Sequence, residues 1–270
     1  MLRDITLGQF YPGRSVLHRM DPRVKILLVL CTIVFIFVAS TFSSLGLIVA
    51  LVFISMCLSG VPLRMYGKNL KAILFVVLFT SVLNLFYGSG DPVLQWGFMR
   101  ITVDGIRRAV FVAVRISTLI VCSAILTFTT SPTQLTDALE RLLRPLKKLK
   151  VPVHDIAMMM TIALRFVPTL LEETDKIMSA QKARGADLES GGVIQRVKAM
   201  VPVLIPLFVS AFRRAYDLAM AMECRCYGIS PRVTKMRQLH VGRVDLWACA
   251  VVALVMAAVV AGNLLLPVWM

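Results

Sequence analysis

Charge is scarce in these 270 residues: 17% are Asp, Glu, Lys or Arg, where a soluble domain carries about a quarter. Histidine is scarcer, and the three present, His18, His154 and His240, lie far apart. Of six cysteines, Cys31, Cys57, Cys122 and Cys249 fall within or at the edges of apolar runs, where a thiol behaves as a small hydrophobe. Cys224 and Cys226 form a lone C-x-C with no second pair or nearby histidines to complete a metal site. A phosphate-binding G-x-x-x-x-G-K-[ST] loop is missing, and His154-Asp155 has no positioned nucleophile beside it. These shortages exclude a water-soluble fold and leave no catalytic, cofactor-binding or metal-ligating residue to assign. The chain is therefore not read as an enzyme. Residues 1–25 are too polar for the apolar core of a secretory signal, so no cleaved leader is expected.

Apolar residues are abundant, at 58%, with a mean hydropathy of +0.79. Inside a bilayer a helix satisfies its own backbone, so the expected fold is all-α: a polytopic membrane protein with transmembrane helices and long amphipathic cytoplasmic helices. The net charge of +15 would point a soluble protein toward nucleic acid. In a membrane protein, basic residues gather on the cytoplasmic side, near anionic lipid. Lipid, and no nucleic acid, is the partner this charge implies.

Five spans are predicted, at Val24–Ser40, Ser44–Leu58, Ala72–Tyr87, Ala109–Phe128 and Leu246–Leu266. The first two are near the lower length limit for a hydrocarbon core of about 30 Å. Arg115 falls within the fourth, where it must face protein or snorkel. Three regions follow: four transmembrane helices in 1–128, cytoplasmic-side helices in 129–245, and a C-terminal transmembrane helix in 246–270. Arg3, Arg14, Arg19, Arg23 and Lys25 precede or open the first span, and residues 129–245 hold 18 Lys or Arg against 11 Asp or Glu. Placing both segments inside makes the N-terminus cytoplasmic. The loop Gly88–Asp104 is nearly neutral.

The middle region is helical too. Ser131-Pro132 starts a helix, with Leu135, Leu139, Leu142, Leu143 and Leu146 at three- and four-residue spacing as far as Leu149. A second helix runs from about Val153 to Ala183, and Pro168 can kink it. A third runs from about Val193 to Tyr227 and contains Pro202 and Pro206, with Arg213 and Asp217 spaced to pair on one face. The hydropathy of 153–171 and 201–212 also allows them to be counted as embedded.

Each long helix ends in an arginine between compact residues. The two motifs are Ala183-Arg184-Gly185 and Cys224-Arg225-Cys226, with glycine stops at Gly185 and Gly228. A guanidinium offers five donors in a rigid fork. An acid-lined groove on a partner could grip each one, and partner movement would then drag the helix. Solvated loop charges or lipid-phosphate anchors remain the alternatives from residue types alone.

Several segments carry a resemblance. They are Asp21-Pro22-Arg23-Val24-Lys25, Leu142-Leu143-Arg144-Pro145-Leu146, Val151-Pro152-Val153-His154-Asp155, Leu164-Arg165-Phe166-Val167-Pro168-Thr169-Leu170, Ala180-Gln181-Lys182-Ala183-Arg184-Gly185, and Phe212-Arg213-Arg214-Ala215 through Ala221 to Tyr227. Over nearly its whole length the chain resembles the transmembrane coupling subunit, or T component, of energy-coupling factor transporters. The family's second motif is more usually Ala-Arg-Gly, so Cys224 and Cys226 depart from it. The resemblance implies two ATP-binding-cassette ATPases, identical or homologous, and one membrane substrate-binding S component. ATP and Mg would be bound by the ATPases. Residues 183–185 and 224–226, at the ends of crossed coupling helices, would dock on them, and transport would carry a vitamin or metal ion across the prokaryotic cell membrane. The apolar parts of the second and third middle helices would contact the S component. A self-contained secondary transporter, or a membrane scaffold that tethers a soluble partner, are the competing readings.

Overall fold

The computed structural model describes residues 10–86, 92–96, 99–186, 192–228 and 239–265. The fold is that of an all-α polytopic membrane protein. The described residues divide into two compact units, one built from those within 10–145 and 239–265 and the other from those within 146–228.

The first unit is a helical bundle. It contains α1 (Val16–Arg19), α2 (Pro22–Val38), α3 (Phe42–Ser59), α4 (Leu63–Phe86), α5 (Val103–Thr129), α6 (Pro132–Leu143) and α9 (Arg243–Leu265). The second holds α7 (Val153–Ala183) and α8 (Val193–Glu223). Among the described residues, six helices are long and apolar enough to cross a membrane: α3, α4, α5, α7, α8 and α9. The 17-residue α2 is shorter than these. Length and apolarity alone therefore do not separate the bundle helices from α7 and α8. Charge does, because α7 carries Glu172, Glu173, Asp175, Lys176 and Lys182 along its second half.

One departure from helix lies in the neutral loop. Residues Pro92–Trp96 (β1) and Met99–Thr102 (β2) pair antiparallel. Composition explains it: both segments mix β-branched, aromatic and long apolar residues over too few positions to form a helix. Thr102 then caps α5, its hydroxyl accepting from the Gly105 amide at 3.1 Å. A Cβ on Gly105 would come within 2.4 Å of the Leu85 carbonyl oxygen, so glycine is what lets the start of α5 lie against the end of α4.

Helix α5 is the centre of the bundle and packs on α2, α3 and α4. Ile36, Leu45, Ile48, Val52, Ile125, Phe128 and Val259 form its buried core with Tyr66 and Phe111. Tyr66 meets Phe128 edge to face with ring centroids 5.1 Å apart, and its hydroxyl lies 3.0 Å from Ser59 Oγ. Thr32, Ser55, Ser81, Ser117 and Thr118 each donate to the carbonyl four residues earlier, which satisfies their hydroxyls without water.

Polar side chains tie the helix ends together. At one end of the bundle Lys25 is buried. Its Nζ donates to the Thr129 carbonyl (3.1 Å), Thr129 Oγ1 (3.2 Å) and Thr130 Oγ1 (3.0 Å). Asp21 caps α2 by accepting from the Arg23 amide, and Arg23 Nη2 reaches both Asp21 Oδ2 (2.6 Å) and the Leu239 carbonyl (3.1 Å). Asp245, near the start of α9, accepts from the amides of Asp21 (3.0 Å) and Gly242 (2.7 Å). The starts of α2 and α9 thus share one end with the finish of α5. At the opposite end, Asn263 donates to the Val38 carbonyl (3.0 Å) and accepts from Thr41 and Ser44 hydroxyls. Arg115 Nη2 donates to the Ala39 carbonyl at 2.5 Å, and its guanidinium lies 4.6 Å from the Phe111 ring centre. The arginine at membrane depth therefore faces protein at the C-terminus of α2.

The α6 segment follows its sequence signature. Ser131 Oγ accepts from the Gln134 amide, and Gln134 Oε1 accepts from the Ser131 amide, which makes a capping box. The helix stops at Leu143 rather than continuing to Leu149, because residues Arg144–Leu149 tighten into a 3₁₀ turn at Pro145.

Burial pushes the Asp21 carboxyl up, but the Arg23 side chain and amide, with the charges of Arg23 and Arg141, hold it below its ordinary 3.8. A carboxyl more acidic in the folded chain than in the unfolded one favours folding above about pH 4, and loses that effect as the pH falls through its folded value. We expect Asp21→Asn to cost about 1–3 kcal/mol at pH 7, with the gap to the parent narrowing below pH 4. Thermal unfolding in detergent at pH 7, 4 and 3 measures it. An equal gap at all three would contradict the assignment.

Candidate functional site

The second unit is a pair of 31-residue helices whose contacts run in antiparallel order. Near the start of α7, Tyr227 Oη lies 3.4 Å from His154 Nε2 and 2.7 Å from Met158 Sδ. Midway, Arg214 of α8 pairs with Glu173 of α7. Near the end of α7, Gln181 Nε2 donates to the Pro202 carbonyl at 3.5 Å. Helical spacing made Arg213 and Asp217 candidates for a pair; the ion pair across these helices uses the neighbouring Arg214.

Both helices end in the same hydrogen-bonded turn. In α7 the Gly185 amide donates to the Lys182 carbonyl (3.0 Å) and the Ala186 amide to the Gln181 carbonyl (3.0 Å), with Gly185 at φ +87°. This is a Schellman turn. In α8 the Cys226 amide donates to the Glu223 carbonyl (2.8 Å) and the Tyr227 amide to the Met222 carbonyl (3.0 Å), with Cys226 at φ +57°. By this bonding Arg225 occupies the place of Arg184, and Cys226 that of Gly185. The left-handed residue that stops α8 is therefore Cys226, two positions before the expected Gly228, and regular helix ends at Glu223 rather than near Tyr227.

Ala183, Arg184, Gly185, Cys224, Arg225 and Cys226 are all exposed. The two motifs are not brought together. From the antiparallel register, roughly 22–26 residues of helix separate Arg184 from Arg225, or about 35 Å. Their separation in sequence, 41 residues, also relates Glu173 to Arg214. The ion pair thus joins equivalent positions, each 11 residues before its arginine, and the pair of helices has a local two-fold relationship. Sequence reading missed this. The signal was available: at the same offset, Glu172-Glu173 aligns with Arg213-Arg214, opposite in charge.

Among the described residues no group of three or more His, Cys, Asp or Glu is placed to hold a metal ion. Cys224 and Cys226 are exposed, free thiols.

A family model described as a cobalt transport protein, CbiQ, matches residues 13–236. The chain belongs to the CbiQ family. Relatives named energy-coupling factor transporter transmembrane protein EcfT align over almost their full length. The protein from Ruminiclostridium cellulolyticum is 50% identical over 260 residues, covering 96% of this chain and 97% of the relative. That from Clostridium kluyveri is 50% identical, covering 93% and 95%, and that from Acidaminococcus fermentans 47%, covering 96% and 95%. Each is named as the membrane component of a transporter. In this CbiQ-family chain the family match spans both arginine-ended helices.

A non-glycine residue in the left-handed region costs roughly 1–2 kcal/mol. A side chain at Gly185 would meet nothing within 4 Å, so only backbone strain would oppose one. Cys226→Gly is expected to stabilise the end of α8 by about 1 kcal/mol, and Gly185→Ala to destabilise the end of α7 by about as much. Hydrogen exchange at the amides of 226–227 and 185–186 measures both.

Proposed function

We propose that this chain is the transmembrane coupling component of an energy-coupling factor transporter. It passes ATP-driven motion from two ABC ATPase subunits to one membrane S component that binds a vitamin or metal ion. The chain itself performs no catalysis, and ATP and Mg sit on the ATPases. The observation that carries this reading is the pair of matching Schellman turns, each presenting an exposed arginine at the far end of a 31-residue helix. A helix C-terminus leaves carbonyls and a negative dipole end beside each guanidinium, so a partner that grips there meets donors and acceptors together. The wide separation of Arg184 from Arg225 fits one ATPase at each.

The membrane names of the relatives support the same reading. The arrangement of α2 and α9, which start at the same end of the bundle, supports a shared side for Asp21 and Asp245. Basic-residue counting makes that side the cytoplasm, with the N-terminus inside the prokaryotic cell. Substrate choice belongs to the S component.

Changing both Arg184 and Arg225 to Ala is expected to leave the protein in the membrane and to lower ATPase recovery in a pull-down about tenfold or more, as for truncation of charged hydrogen-bonding groups at an interface. Either single change is expected to lower transport in vesicles, normalised to assembled complex, more than it lowers expression. Unchanged ATPase recovery in the double variant would reject the docking role. Copurification of a soluble partner with no nucleotide-binding subunits would favour a scaffold.

A further inference from the structure

A cavity of about 270 Å³ opens at the end of the bundle away from Lys25, with Phe42, Asn84, Arg108, Phe111, Val112 and Arg115 in its lining. Residues 108, 111, 112 and 115 recur at three- and four-residue spacing, so they form one face of α5. The close approach at Gly105 brings Asn84 of α4 beside them. Nothing in the coupling function accounts for this cavity.

Its charge is one-sided. Neither Arg108 nor Arg115 has a carboxylate partner among the described residues. Arg115 is fixed at the wall by the Ala39 carbonyl and the Phe111 ring. One of its donors, Nε, is shielded and meets no acceptor, so its charge is only partly compensated by protein. The wall beside these cations is largely apolar. Phe42 is half exposed at the rim and packs edge to face on Phe111, with centroids 5.1 Å apart.

Depth identifies the occupant. Lys25 holds Thr129 at one end of α5, and Arg108 lies 21 residues earlier. That is about 32 Å of helix, close to the thickness of the hydrocarbon core. The Arg108 end of the cavity therefore sits where headgroups meet acyl chains, while Arg115, 14 residues from Thr129 or about 21 Å along the helix, lies deeper beside the apolar wall. We propose that this cavity binds an anionic phospholipid, its phosphodiester held by Arg108 and Arg115 and the upper part of an acyl chain laid against Phe42 and Val112. A water-borne phosphate would have no use for the apolar wall, and a zwitterionic lipid would leave the excess positive charge unmatched.

The test is native mass spectrometry of the full-length protein in detergent, with equimolar phosphatidylglycerol and phosphatidylcholine, repeated with excess inorganic phosphate. Preferential retention of phosphatidylglycerol is expected, unaffected by phosphate. Arg108→Gln should reduce that preference about fivefold, the effect of one basic residue near an anionic surface. Val112→Trp alters no charge but fills the cavity, and should reduce it as well; it serves if Arg108→Gln does not give a monodisperse protein. Equal retention of the two lipids by the parent would overturn the proposal, as would preference unchanged in both variants. Loss of the bound lipid to inorganic phosphate would make this a simple phosphate site and overturn the lipid assignment.

Discussion

Helix-end carbonyls are what hold this bundle together. An α-helix leaves its last carbonyls unpaired, and in hydrocarbon there is no water to satisfy them. Here side chains from neighbouring helices do so. Lys25 of α2 caps the end of α5, Arg115 of α5 caps the end of α2, and Asn263 of α9 caps the carbonyl next to it. Each costly polar group is thereby placed where another helix needs a donor. The order of the bundle follows from these reciprocal links as much as from the apolar core.

The long helices of the other unit solve the same end problem differently. Their C-terminal carbonyls are met by amides of their own chain as it reverses into the left-handed region. No neighbour is required, so the ends and their arginines stay exposed. Glycine makes this easy at residue 185. Cysteine accepts strain to reproduce the same turn at residue 226, and that equivalence links two motifs whose residues differ.

Much of this was legible in the sequence. The serine and proline at 131–132, the length of the helix from Val153 to Ala183 and the arginine motifs all rest on local rules, and local rules survive folding. The polar ties did not show, because they join residues such as Asp21 and Asp245 that are more than 200 positions apart. The β1–β2 hairpin was missed because a short neutral loop carries too little periodicity to oppose the helical pattern around it. The left-handed Cys226 was hidden by propensity: a glycine two residues later is the better candidate for a helix stop until the hydrogen bonds are known.

The central Glu173–Arg214 pair lies midway between the two arginines. Forces applied to Arg184 and Arg225 in opposite directions therefore add as torque about that point, while forces in the same direction translate both helices together. Equal and opposite pulls on the two arginines would turn the helix pair about that ion pair like a crank.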